Sequence, residues 1–146
     1  MQTLPKTYTP EDSVALTEKV QGFRNAIVGL QEELIKLPQV NMPANHHFIK
    51  GAYARELFIP AGTVIIGKIH KLECFNIVMQ GRLTIVTENG RAEIQAPTVF
   101  VSQPMIKKTA YVHEDTIFIN VFVTDETDIE KLESDLVYPD YPAEVL

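Results

Sequence analysis

The chain has 146 residues and 45% hydrophobic content, which suits one soluble domain with a sizeable core. Its 13 Lys and Arg stand against 19 Asp and Glu, a net charge of −6, which argues against a nucleic acid polymer as partner, since phosphate-backbone binding needs a basic surplus. A single cysteine excludes an intramolecular disulfide, no apolar run approaches the about 18 residues of a membrane span, and the first ten residues lack the pattern of a secretory signal. The expectation is a cytoplasmic protein with no membrane partner.

In chain order, residues 1–45 read as a helix followed by an extended linker. Thr9 is placed to cap a helix, Pro10 suits its first turn, and Glu11 and Asp12 favour its positive end. Val20, Phe23, Ile27, Leu30 and Leu34 then recur at spacings of three and four, predicting a helix over about 10–37 with a buried seam. Gly22 and Gly29 each weaken that helix by about 1 kcal/mol relative to Ala, so the seam needs a partner surface. A homo-oligomer formed through this helix or a barrel edge is the corresponding expectation. Pro38 and Pro43 end the helix.

Residues 46–124 switch to period two. Strands are predicted at 53–59, 63–70, 74–79, 82–88, 91–94, 98–101, 109–113 and 116–123, all rich in Val, Ile, Thr, Phe and Tyr. Turn chemistry separates them, with Asn89-Gly90 as a hairpin signal. About eight short strands make an antiparallel β-barrel or jelly roll. Residues 125–146 read as a capped, acidic short helix to about Leu136 and an extended tail. The fold class is therefore mainly β, with a long N-terminal α-helix and a short C-terminal one.

The run Gly62-Thr63-Val64-Ile65-Ile66-Gly67-Lys68-Ile69-His70, followed by Gly81, resembles the first signature of the cupins, and the segment from Pro104 to His113 falls where their second would lie. The blocks around His46-His47-Phe48, Tyr53-Ala54-Arg55-Glu56 and Tyr111-Val112-His113-Glu114-Asp115-Thr116 are similar, more narrowly, to small cupin-like proteins of tailed phages, a group of unassigned function. The resemblance covers roughly residues 46–124 and implies an RmlC-like jelly roll; a phage source would place the protein in a host cytoplasm. Of the family's metal ligands it carries over His70 alone: Lys68 stands at the first His position, Cys74 or Phe75 at the Glu, and Thr109 near the third His.

Strand alternation places Val64, Ile66, Lys68 and His70 on one face, and Thr109, Tyr111 and His113 on one face of another strand. If both faces point inward, Lys68, His70, Tyr111 and His113 line the barrel, with His47 near its mouth; Arg55, alternating with Tyr53 and Leu57, reads as an anion contact or as half of a surface ion pair. A cation among apolar side chains is costly unless it meets an anion; otherwise Lys68 lies at the rim and reaches water. The expectation is a small anionic metabolite or nucleotide-type signal bound without catalysis or cofactor, possession of which would modulate or evade a host. Binding is then expected to weaken above about pH 7 as the histidines lose charge. Two alternatives stay open: a metal-dependent dioxygenase, lyase or isomerase holding one divalent transition metal on His70, His113 and Glu73, and a virion or assembly component. Cys74 reads as a buried, inert thiol, and Lys107-Lys108 as a solvated loop.

Overall fold

The computed structural model describes residues 10–139 and 141; Thr9 and the end of the tail lie outside them. The elements run α1 (Pro10–Leu34), β1 (Ala44–Ile49), β2 (Ala52–Ile59), β3 (Val64–Ile66), β4 (Ile69–His70), β5 (Cys74–Gln80), β6 (Arg82–Thr87), β7 (Gly90–Gln95), β8 (Thr98–Ser102), β9 (Thr109–Val112), β10 (Thr116–Val123), α2 (Ile129–Leu136) and β11 (Val137–Tyr138). All strand pairs are antiparallel. A five-stranded sheet, ordered β1-β2-β10-β5-β8, faces a four-stranded one, β3-β9-β6-β7, and β4 pairs with β11. No described helix is long and apolar enough to cross a membrane.

β10 shows how the sequence builds the wall. Thr116, Phe118, Asn120 and Phe122 are buried while Ile117, Ile119, Val121 and Val123 face outward, the period-two pattern of a pleated strand. One end of the barrel is filled by Ile59, Val78, Leu83, Ile85, Ala110, Val112 and Phe118, each stabilising by about 1.5–3 kcal/mol for the large side chains. Towards the other end, the inward positions turn polar.

The helix is shorter than its periodicity predicts, ending at Leu34. Its seam is only partly covered: Ile27 is buried, Val20, Phe23 and Leu34 are half-buried, and Leu30 is exposed. Ile27 and Phe23 pack with Ile69 and Tyr141, and Arg24 meets Glu88 at 2.8 Å, tying the helix to the β6–β7 turn. That turn has Glu88 and Asn89 as its loop residues, with Thr87 opposite Gly90, one residue earlier than the Asn89-Gly90 signal predicts.

The expected strand over 63–70 is broken. β3 stops at Ile66, Gly67 N–H bonds Lys108 O at 2.9 Å, and β4 leaves to pair with β11. Alternation does not carry across such a break, so the face shared by Val64, Ile66, Lys68 and His70 does not exist. Two strands, β1 and β11, come in addition to those expected.

α2 closes the polar end. Asp128 caps it by accepting from the N–H groups of Glu130 and Lys131, and Leu132 and Leu136 are buried against Tyr53, Cys74 and Phe122. Asp128→Ala leaves those donors unpaired and is expected to cost about 1 kcal/mol, read as a lowered urea midpoint.

Candidate functional site

Beyond the apolar core, the inward positions are Tyr53 and Arg55 on β2, Cys74 and Asn76 on β5, Ser102 on β8, Asn120 and Phe122 on β10, and His70 on β4. Lys108, just before β9, joins them. One chain of hydrogen bonds links most of these. Arg55 Nη2 donates to Asn120 Oδ1 at 2.9 Å, Asn120 Nδ2 to Asn76 Oδ1 at 2.7 Å, and Asn76 Nδ2 to Ser102 Oγ at 2.6 Å. Lys108 Nζ donates to the same Ser102 oxygen. Asn76, Asn120 and Ser102 are buried, so the chain keeps groups that would otherwise be costly to desolvate satisfied.

Cys74 Sγ lies 3.2 Å from His70 Nδ1, and the His70 ring stands edge-on to Phe122. Burial, then the Lys108 and Arg55 charges, push the His70 imidazole down to about 4. It is therefore neutral at pH 7. Burial also lowers the Arg55 and Lys108 pKa values and raises that of the Cys74 thiol, against the pull of Lys108 and of hydrogen bonds from Ser102 and Asn120.

The charge balance of this chamber is one-sided. Arg55 and Lys108 form no ion pair among the described residues. Arg55 Nε is buried and finds no hydrogen-bond partner among them. The Glu133 carboxylate on α2 acts on Arg55 through its field, but its ion pair is with Lys68, at 3.4 Å. A cleft of about 50 Å³ reaches Arg55 between His46, Tyr53, Lys68, Glu133 and Leu136, room for a few water-sized groups.

Several expected site residues lie elsewhere. Lys68 is at the rim, its side chain 47% exposed, because β3 ends before it. Tyr111 and His113 do share a face, but it is the outer one: Ala110 and Val112 are the buried residues of β9, Tyr111 is 46% exposed, and His113 Nε2 contacts Thr84 Oγ at 2.7 Å. His70 and His113 are thus on opposite sides of the wall. Glu73 is exposed before β5. His47 points outward, 3.9 Å from Glu56, while His46 Nδ1 meets the Tyr53 hydroxyl at 2.6 Å. Arg55 and His70 are the two expected residues inside.

The inward cation is Lys108, and Lys107 is also fully buried, so the expected solvated loop is a correction too. The signal for Lys108 was its parity with Ala110 and Val112. Asn76, Ser102 and Asn120 carried the same signal as polar residues in phase with Val78, Phe100, Phe118 and Phe122.

A divalent metal, which the cupin resemblance implies, does not fit these residues. No group of three or more His, Cys, Asp or Glu is assembled among the described residues, His70 has Cys74 as its one such neighbour, and two fixed cations repel a third.

No family model matches the chain and no curated protein matches it. Among solved structures, ectoine synthase from P. lautus superposes with a TM-score of 0.55 at 16% identity, over 74% of this chain and 85% of that one. KdgF from Halomonas sp. gives 0.51 at 17% identity, over 62% and 86%. A cupin-2 domain protein from Shewanella frigidimarina gives 0.48 at 11%, over 65% and 92%. The likeness extends to the fold alone, and that fold is the cupin jelly roll.

Proposed function

We propose that the barrel binds a small carboxylate- or phosphate-bearing metabolite and holds it without turning it over. The observation that carries this reading is the pair of inward cations, Arg55 and Lys108, with no ion-pair partner among the described residues and with Arg55 Nε unbonded. Removing an ion from water costs several kcal/mol unless a counter-charge compensates. An anion accepting from Arg55 in the cleft supplies that compensation, Lys108 adds its field from behind the cleft wall, and the apolar walls of Tyr53, Phe122 and Leu136 strengthen the contact by excluding water. The neutral His70 and the protonated Cys74 supply no activated nucleophile, which supports binding over catalysis.

The charge that holds the anion comes from Arg55 and Lys108. Titration of His70 near pH 7, an expectation from the sequence, does not contribute, because its pKa is about 4. A role in a phage-infected host is carried by the sequence resemblance alone.

Calorimetric titration with inorganic phosphate and with succinate tests the reading. The wild-type chain is expected to bind at least one of these probes. Arg55→Met and Lys108→Met each weaken that binding at least about tenfold, which is about 1.4 kcal/mol, while each raises the urea midpoint by removing an unpaired charge. Lys68→Met at the rim changes affinity by less than about threefold, or about 0.7 kcal/mol. Equal affinity in wild type and Arg55→Met, or a loss confined to Lys68→Met, defeats the proposal.

A further inference from the structure

The polar interior has a counterpart outside. On β5, β8 and β10, which carry Asn76, Ser102 and Asn120 inward, the outward residues are apolar. β5 presents Phe75, Ile77 and Met79, β8 presents Val99 and Val101, and β10 presents Ile117, Ile119, Val121 and Val123. Register lines them into rows: Val121 lies opposite Phe75 and Phe75 opposite Val101, while Ile119 lies opposite Ile77 and Ile77 opposite Val99. On β2 the Val121 row continues to Ala54 and the Ile119 row ends on Glu56, while Phe58 lies opposite Ile117. Phe75, Met79, Val99, Val101 and Val123 are 54%, 56%, 63%, 45% and 81% exposed. A solvated sheet face would alternate apolar-in with polar-out; here the outward positions are apolar, and the inward ones mix Asn76, Ser102 and Asn120 with Val78, Phe118 and Phe122.

We infer that this outer face of the five-stranded sheet is where a second copy of the chain packs. Three strands, β5, β8 and β10, about 4.8 Å apart and about six residues long give an apolar footprint of about 300 Å², which Ala54 and Phe58 widen on either side of Glu56. That is the size of the apolar centre in an interface burying about 800 Å² per partner. The rim is polar. Glu56 accepts from Asn45 at 2.9 Å and lies 3.9 Å from His47, and Gln80 ends β5.

Charge selects the occupant. At −6 each, two copies repel except where neither presents charge, and β5, β8 and β10 present none on this face. An anionic lipid surface is disfavoured by the same charge, and the Lys/Arg fringe that draws a protein to such a surface is missing from the outward positions of these three strands. A flat uncharged sheet is complementary to itself under a two-fold axis, with sheets about 10 Å apart and strands crossing at about 30°. This differs from the association through the N-terminal helix or a barrel edge expected from the sequence.

Sedimentation velocity of the full chain, over about 1 to 100 μM to cover micromolar association, tests it. The wild type is expected at twice the 16.4 kDa chain mass. Val99→Lys combined with Val101→Lys should give the single-chain mass with an unchanged far-ultraviolet dichroism spectrum. Ile35→Asp, in the separate apolar groove between the end of α1 and β3, should keep the two-chain mass. A wild type that stays at one chain mass throughout overturns the inference whatever the variants do. So does a two-chain mass in the Val99/Val101 variant, dissociation by Ile35→Asp, or wild-type cosedimentation with neutral phosphatidylcholine vesicles in place of self-association.

Discussion

Gly81→Ala is expected to lose about 3–4 kcal/mol of stability, where Gly62→Ala loses only about 1–2. Both glycines have positive φ, 98° and 83°, so both substitutions carry the left-handed strain of an L-residue. They differ in their surroundings. A Cβ on Gly62 meets nothing within 4 Å, whereas one on Gly81 would press on Thr116 Oγ1 and lie 2.6 Å from Asp115 O and 2.8 Å from Thr116 Cα. Two of those atoms are backbone, and Thr116 is fully buried, so the neighbour cannot swing away. The position is also tied on its other side, where Gly81 O accepts from Ala96 N–H at 3.0 Å. Any shift of the β5–β6 turn therefore disturbs β10 and the approach to β8 together. Urea unfolding followed by circular dichroism compares the two variants. Equal losses would mean that the turn relaxes and that φ alone demands glycine there.

The β half was legible because its walls obey alternation. Residues 116–123 are β10 as predicted, and 53–59 differ from β2 by one residue. β1 escaped notice because an edge strand can be polar: Asn45, His46 and His47 need no apolar partner to pair with β2. β11 is two residues long and exists only because β4 is there to receive it. The helix seam was half legible, since periodicity tells which face is apolar and not how far a partner surface extends along it. Its upper part, at Phe23 and Ile27, meets Ile69 and Tyr141, while Leu30 has no such cover.

The chamber was harder to read, and phase is the reason. A strand pattern has two solutions that differ by one residue, and each inverts every side chain. For β9 the phase chosen from Tyr111 and His113 placed chemistry inside; the phase set by Ala110 and Val112 is the one that fills the core. Choosing the second moves His113 to the outer face, where it is half-buried against Thr84, and brings Lys108 in. For 63–70 no single phase applies, because the Gly67 break lets Ile69 and His70 both be buried. His70 thus came to the interior although the argument from a continuous strand failed. Arg55, for which alternation with Tyr53 left both an anion contact and a surface ion pair open, bonds Asn120 inside the barrel. The parity that brings Asn76, Ser102 and Asn120 inward beside Val78, Phe118 and Phe122 turns the apolar residues between them outward, so the proposed polar site and the proposed pairing face lie on opposite sides of the same strands.

Stability is expected to fall by about 3 kcal/mol between pH 6.5 and pH 4 through His70 alone. In the unfolded chain this imidazole titrates near its ordinary value of 6.5; in the fold its pKa is about 4. Burial causes most of the shift, and the Lys108 and Arg55 charges add to it. Above pH 6.5 both states hold the neutral ring and the contribution is flat. Between the two values the unfolded chain carries one more proton than the fold, so each unit of falling pH favours unfolding by about 1.4 kcal/mol. Below about pH 4 both states are protonated and the loss is complete. The groups facing His70 set the sign: Arg55 from β2 and Lys108 from the approach to β9 are cationic, and the Cys74 thiol from β5 is held protonated by burial. His70→Leu keeps an apolar contact with Phe122 and removes the titration, so the difference between wild type and variant isolates this one group from the carboxylates that titrate alongside it. Urea midpoints at pH 7, 6, 5 and 4 make the comparison. The wild type should lose ground on the variant at each step below pH 6.5. Parallel curves would mean that His70 protonates in the fold as readily as in the unfolded chain. Bound phosphate or succinate should lower the His70 pKa shift, since an anion on Arg55 offsets a charge that opposes the imidazolium. With the probe present, the difference between wild type and His70→Leu over the same pH series should then be smaller, a comparison in which the probe's own protonation cancels, and this ties the proton balance of His70 to the occupancy of the chamber.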